Sequence, residues 1–191
     1  MEAPIEKIVY QPQEFLPPAP QTINPAIQKW FQTVDRDRSG EINWEELQSA
    51  LVNAQGEHFS SIACKMMISM FDADRTGTIT INEFQQLYTY INQWLVVFKN
   101  YDRNGSGSIE EMELAQALQQ MGFRFSNDFV KFLINRSDFK THSKISVDQF
   151  IVICVQIQKF TEAFKARDTH FRGSITVGFE EFIKIAIDSF P

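Results

Sequence analysis

Residues 35–46 read DRDRSGEINWEE, a twelve-residue stretch whose oxygen-bearing side chains are spaced to surround one metal ion. Gly40, at the sixth position, supplies the positive φ that a sharp turn at this point requires. Ca²⁺ takes about six to eight oxygen ligands, and a loop of this length offers them from positions 1, 3, 5, 7, 9 and 12. The pattern therefore predicts a calcium site, and the alternative is a solvated acidic turn. The expected ligands are Asp35, Asp37, Ser39, Glu41 through its backbone carbonyl, Asn43 through a water molecule, and Glu46.

The same pattern occurs twice more, which weighs against a chance acidic turn. The second copy has threonines at positions 5, 7 and 9; we expect calcium there too, the alternative being a structural loop that fills weakly or only with magnesium. The third copy has an asparagine at position 3 but an added carboxylate at position 9, and we expect it to bind calcium as the first does. The expected ligands are Asp72, Asp74, Thr76, Thr78, Thr80 and Glu83 in loop two, and Asp102, Asn104, Ser106, Ser108, Glu110 and Glu113 in loop three.

Two degenerate copies follow, and their residue types argue against metal binding. Loop four, residues 138–149, has Lys140 at position 3 and ends on Gln149, which offers one neutral oxygen instead of a bidentate carboxylate. Loop five begins at Asp168 and has a histidine and an arginine at positions 3 and 5, and its glutamate, Glu181, comes two residues too late. We interpret both loops as pairing elements that do not bind metal.

Each copy has an isoleucine at position 8, and the spacing of these isoleucines predicts how the helices are arranged. The intervals are 37, 30, 36 and 30 residues. Residues 84–101 and 150–167 lie in the short intervals and have helical apolar spacing without glycine or proline, so each is predicted to be one helix of about 27 Å shared by two loops. Gly56 and Gly122 interrupt the long intervals, which therefore read as helix–turn–helix. The chain is predicted to be all-α.

The isoleucines also predict how the loops pair. Loops one and two, and loops three and four, are expected to join through short backbone bridges at position 8, which leaves the fifth loop without a partner in the chain. Its apolar flank needs cover, and a two-fold dimer in which fifth loop meets fifth loop would provide it. The expected interface residues are Ile175, Phe179, Phe182 and Ile183.

Composition narrows the function further. Six of the seven prolines lie in the first 25 residues, so residues 1–23 are expected to be a largely disordered leader and residues 24–191 the folded domain. The net charge of −6 argues against nucleic-acid binding, which needs a basic face. The chain shows neither a secretory signal nor an apolar run of bilayer length, so we expect a cytoplasmic protein.

Catalysis is not expected. Cys64 and Cys154 lie in apolar helical contexts and are interpreted as buried reduced thiols. His58, His142 and His170 lie in or beside the loops, and no glycine loop of the kind that cradles phosphate is present. The prominent acidic residues are already assigned as metal ligands.

Five such repeats, with this spacing and a proline-rich leader, resemble the penta-EF-hand family over about residues 24–190. Segments 50–53, 120–123 and 161–164 most resemble its peflin branch. The resemblance implies five helix–loop–helix EF-hands and dimerisation through the fifth hand, as a homodimer or as a heterodimer with another family member. It also implies calcium-dependent adaptor work at membranes, notably at endoplasmic reticulum exit sites and vesicle coats, with peripheral membrane association.

Three functions are compatible with these features. The leading hypothesis is a calcium sensor and adaptor, in which calcium reorients helices and exposes apolar surface to a protein partner. The second is a calcium buffer, which would bind without opening. The third is a non-catalytic regulatory subunit of an enzyme, as in the calpains.

Overall fold

Helices account for nearly all regular structure in the part of the chain that the structure, a computed structural model, describes: residues 23–137 and 143–189. The all-α prediction is confirmed. The leader, except residue 23, and the start of loop four lie outside the described residues. The elements are α1 (Pro25–Val34), α2 (Trp44–Ala50), α3 (Ser61–Phe71), α4 (Ile81–Tyr101), β1 (Ile109–Glu110), α5 (Glu111–Gln120), α6 (Asn127–Ser137), β2 (Lys144–Ile145), α7 (Val147–Lys165) and α8 (Phe179–Ser189).

The two shared helices form as predicted. Helix α4 leads without a break from loop two into loop three, and α7 leads from loop four towards loop five. Phe150 of α7 is fully buried, and three aromatic rings of α4 and its end surround it at centroid distances of 5.8, 5.7 and 6.5 Å: Trp94, Phe98 and Tyr101. This aromatic cluster joins the two long helices and lies in the hydrophobic core.

The long intervals are helix–turn–helix, also as predicted, and local capping explains where their helices begin. Asn24 caps α1 by accepting the Ala26 N–H at 2.9 Å, with Pro25 in the first turn. Ser60 caps α3 by accepting the Ala63 N–H at 3.3 Å. Each cap satisfies a backbone donor that the helix itself leaves unpaired.

The isoleucine bridges hold the loops in pairs. Ile42 and Ile79 exchange two backbone hydrogen bonds of 2.9 Å each, and Ile109 pairs with Ile145 where β1 meets β2. All four side chains are completely buried. Ile175, the fifth isoleucine, joins no bridge within residues 23–137 and 143–189, so the expected pairing of one with two and three with four is confirmed.

The turn between α2 and α3 has more structure than the sequence indicates. Residues 51–59 form a short hairpin in which Val52 and His58 make an antiparallel bridge. Buried Leu51 and Phe59 hold the two ends of this hairpin in the core, and the Phe59 N–H donates to the Leu51 carbonyl at 3.1 Å. The tip of the hairpin therefore projects from a fixed base.

Candidate metal centres

Loop one turns around the carboxylate of Asp35. This carboxylate accepts the N–H groups of Ser39 and Gly40, both at 3.0 Å. The last ligand, Glu46, accepts the N–H of Arg36 at 2.9 Å with one oxygen and that of Asn43 at 3.1 Å with the other. Asp35 and Glu46 are each only 8% exposed, so the first and last ligand positions are held together in a partly shielded pocket.

Loops two and three repeat this geometry. The first aspartate of each accepts the N–H groups at positions 5 and 6: Asp72 does so at 2.9 and 2.8 Å, and Asp102 at 2.9 and 2.8 Å. Glu83 accepts the position-2 N–H at 3.0 Å, and Glu113 does the same at 3.0 Å. The three loops therefore share one backbone framework, which explains why their ligands recur at fixed positions.

The donor sets of loops one and two fit a divalent cation. In loop one Asp35, Asp37 and Glu46, and in loop two Asp72, Asp74 and Glu83, each bring carboxylate oxygens within 4.8 Å of one another. Such clusters of hard oxygen atoms suit Ca²⁺. In the described part of the chain loop three forms no such trio of carboxylates, because the amide of Asn104 takes the place of the aspartate at position 3.

Hydrogen bonds lower the pKa of two of these carboxyl groups. Hydrogen bonds from Ser39 hold the pKa of Asp37 below its usual range, and the bond from the Ser39 side chain contributes more than the bond from its N–H. Burial acts to raise the pKa of Asp72, but hydrogen bonds from Gly77, Thr76 and neighbouring loop residues together outweigh it, so the net shift is downward. Metal binding needs deprotonated ligands, and both groups are in that form at neutral pH.

The ninth-position side chains cap the outgoing helices. Asn43 accepts the Glu46 N–H at 3.0 Å while Glu46 accepts the Asn43 N–H, and Thr80–Glu83 and Glu110–Glu113 make the same reciprocal capping box. Each position-12 glutamate therefore belongs both to the ligand set and to the first turn of the next helix.

A contact between loops one and two was missed by the sequence analysis. The hydroxyl of Thr78 donates to the Glu41 carboxylate across the pair. Both residues stand at position 7, where only the backbone carbonyl is needed as a ligand, so their side chains are free to link the loops. The sequence does not indicate this bond, because the two residues lie 37 positions apart.

Loop four is described from residue 143 onwards, so the residues predicted at its positions 1, 3 and 5 lie outside the described part. Gln149 replaces the usual glutamate in the capping box by accepting the Ser146 N–H at 2.8 Å. Its amide nitrogen donates to the Ser137 carbonyl at 2.6 Å, a bond that a carboxylate is unable to make. The glutamine thus keeps the capping bond of the loop, but its side chain is neutral and its amide nitrogen is already hydrogen-bonded.

Loop five keeps only the first half of the EF-hand turn. Asp168 accepts the N–H groups of Arg172 and Gly173 at 2.8 and 2.7 Å, as the first aspartates of loops one to three do. The late glutamate, Glu181, instead receives the Arg167 Nε–H at 2.7 Å as an ion pair. That loop five does not bind metal stays a prediction.

Helix α8, which follows loop five, has an exposed apolar face. Phe179, Phe182 and Ile187 are 81%, 56% and 67% exposed, Ile183 is 38% exposed, and Ile175 in the loop is half-buried. In this chain α8 packs against α7. Of the four residues expected at a dimer interface, Phe179, Phe182 and Ile183 are therefore exposed in this chain.

The two thiols are inert core groups. Burial raises the pKa of the Cys64 thiol to about 12, with a smaller contribution from the nearby Asp148, and burial also raises the pKa of Cys154. Thiolate is the reactive form, and neither group offers it near neutral pH.

In the described residues no helix is both long and apolar enough to cross a membrane.

Comparison with known proteins agrees with this geometry. A family model for an EF-hand domain pair matches the chain twice, over residues 25–89 and 91–155. Each match contains one of the loop pairs described above. The structure of a homolog of programmed cell death 6 protein from Leishmania major Friedlin aligns with a TM-score of 0.74 and 27% identity, and covers 86% of this chain and 94% of that chain.

Curated relatives share sequence over most of the chain. Zebrafish peflin is 39% identical over 169 residues, which are 88% of this chain and 63% of the relative. Human peflin is 42% identical over 86% of this chain and 58% of its own length. Human sorcin is 35% identical over 77% of this chain and 75% of its own length. The chain thus spans about three-fifths of the peflins that it matches and three-quarters of sorcin.

Proposed function

This chain belongs to the penta-EF-hand family of calcium-binding regulatory proteins, and from this premise we propose that it is a calcium sensor and adaptor that engages partner proteins. The observation that carries the proposal is the set of three loops with one shared framework. Loops one and three, and also loop two, supply the ligands for Ca²⁺. Loops four and five keep the fold without the ligand chemistry.

The position-12 glutamates make the loops suitable for sensing. Glu46 is at once a metal ligand and a residue of the first turn of α2, where it takes part in the capping box with Asn43. A bound Ca²⁺ supplies positive charge that the clustered carboxylates otherwise lack. Because Glu46 is both a proposed ligand and part of the first turn of α2, a movement of this glutamate on metal binding also moves the start of the helix.

The surface that would open is mostly closed in this structure. Met66, Met67 and Phe98 are buried, and Trp30 is half-buried, with its ring centroid 5.2 Å from those of Phe84 and Tyr88. In this structure these residues therefore belong to the hydrophobic core or pack against it. A sensor must expose part of this apolar material on binding calcium, whereas a buffer must not.

The fifth hand supplies the proposed oligomeric contact. The exposed residues of α8 include Phe179, Phe182 and Ile187, and in a two-fold interface such a surface meets its own copy. We propose that it binds a second copy of the chain or another penta-EF-hand protein. The proposed site of action is the cytoplasm, with calcium-dependent peripheral association at endoplasmic reticulum exit sites or vesicle coats; family membership supports this part.

A dye that fluoresces on apolar surface separates the sensor from the buffer. Calcium added to the purified chain should raise its fluorescence, and the Glu46→Gln, Glu83→Gln, Glu113→Gln variant should show no such rise, because the position-12 carboxylates are lost. Calcium uptake without a change in dye fluorescence would favour the buffer.

A further inference from the structure

The hairpin at residues 51–59 holds its tip in a defined position. Within the turn, Asn53 accepts the N–H groups of Gln55 and Glu57 with its side-chain oxygen, at 3.0 and 2.9 Å. The Asn53 N–H also donates to the Glu57 carbonyl at 2.8 Å. Because both ends of the hairpin are fixed in the core, Ala54 and Gln55 at its tip have a defined position.

The tip touches loop three at the centre of its ligand set. The side-chain amide of Gln55 donates to the Ser106 carbonyl at 3.3 Å. The next residue, Gly107, leaves no room for a side chain: a Cβ there would lie 2.8 Å from the Cβ of Ala54 and 2.8 Å from the amide nitrogen of Gln55. The hairpin between hands one and two is therefore in close contact with the turn of hand three.

Among the residues that the structure describes, the other two candidate loops have no such neighbour. Gly40 and Gly77 stand at the same position 6 with φ values of 84° and 83°, and a Cβ at either would meet none of the described atoms within 4 Å. Gly107 has a similar φ of 74°. The contact is therefore a property of loop three and not of the loop type.

A second contact ties the base of the same hairpin to hand four. The Ser60 N–H, where the hairpin enters α3, donates to the Asp148 carboxylate at 2.9 Å. Asp148 lies in the first turn of α7, is 4% exposed, and also accepts the Ser146 hydroxyl. The segment that joins hands one and two is thus fastened to both members of the opposite loop pair.

We propose that Gln55 is a positioning residue for calcium binding in loop three, supplied by the hairpin between hands one and two. Its amide fixes the Ser106–Gly107 peptide from outside the loop. This peptide carries the position-5 ligand, Ser106, and the N–H that Asp102 accepts at 2.8 Å. Binding in loop three and the arrangement of hands one and two then influence each other, since such coupling is reciprocal. The inference rests on the proposed calcium function.

The test isolates loop three. In a Glu46→Gln, Glu83→Gln background, loop three is the one candidate loop of the three that keeps its position-12 glutamate. Calorimetry on this background therefore measures calcium binding in loop three. Gln55→Met keeps the length of the side chain and removes the donor, and we expect binding to weaken about two- to tenfold, the range that the net effect of one hydrogen bond allows. Gln32→Met, at an exposed position of α1, is the matched control and should leave the affinity unchanged.

A second measurement distinguishes positioning from general stability. The melting temperature of the calcium-free protein should be the same for both methionine variants, and the Gln55 side-chain amide resonance should shift when loop three fills, but not when Glu113→Gln is added. Equal affinity of the Gln55→Met variant and its parent would overturn this inference alone. A background that takes up no calcium in loop three would overturn both the inference and the proposed function.

Discussion

The position-12 glutamate shows most clearly what a single residue contributes to this protein. Glu46 accepts two backbone N–H groups, one at the start of loop one and one at the start of α2, so it joins the two ends of the loop. Gln149 occupies the same place in loop four and keeps the capping bond, but not the charge. The missing charge of Gln149 is thus one difference between loop four and the candidate binding loops, beside Lys140 at position 3.

Glu46→Gln should weaken calcium binding at loop one by at least about tenfold, since even residues that only support metal ligands typically change affinity by that much. Calorimetry on the variant, with loops two and three intact, measures the loss. Glu45→Gln is the control, because Glu45 is an exposed neighbour in the same first turn of α2 and its substitution changes the charge equally. Similar losses in both variants would mean that overall charge, not ligation, sets the affinity.

At the scale of elements, the two long helices hold the hands together. Phe150 of α7 is completely buried among rings of α4, the helix that connects the two loop pairs. The sequence predicts both helices, because their apolar spacing is regular and no glycine or proline interrupts them. It does not predict which rings meet, since that depends on how α4 and α7 cross.

Phe150→Ala should destabilise the calcium-free protein by about 3–5 kcal/mol, the usual cost of removing a buried phenylalanine. Urea unfolding followed by far-ultraviolet circular dichroism gives the value. Phe171→Ala is the control: its side chain is 92% exposed, and its loss should change stability by less than about 0.5 kcal/mol. A small effect of Phe150→Ala would show that the aromatic cluster does not join the helices.

The loop pairs could be predicted from sequence, and the contacts between pairs could not. Repeated isoleucines at position 8 revealed both bridges because the motif itself carries the register. Gln55 and Ser106 are 51 residues apart, and Ser60 and Asp148 are 88 apart. Ser106 belongs to the loop repeat, but the repeat does not indicate that Gln55 is its partner. Residue types of this kind are common on any surface, so only the folded arrangement shows that they meet.

At the scale of the whole molecule, the odd number of hands leaves one apolar helix face uncovered. Phe182 lies in the first turn of α8 and is 56% exposed. A charge placed there would have to be buried without a partner in a two-fold interface, which is strongly unfavourable.

Phe182→Asp should therefore convert a dimer into a monomer, measured by sedimentation velocity. Phe132→Asp is the control, because Phe132 on α6 is 53% exposed but lies away from loop five in the sequence. A Phe182→Asp variant that stays dimeric, or a wild-type chain that is monomeric, would contradict homodimerisation through the fifth hand.

Native mass spectrometry of the purified chain, with and without calcium, reports the metal count and the oligomeric state in one spectrum. We expect a dimer with two or three calcium ions per chain, from loops one and three and also loop two. A chain that takes up no calcium would contradict the central claim, that this protein is a calcium sensor, and would leave it a structural subunit.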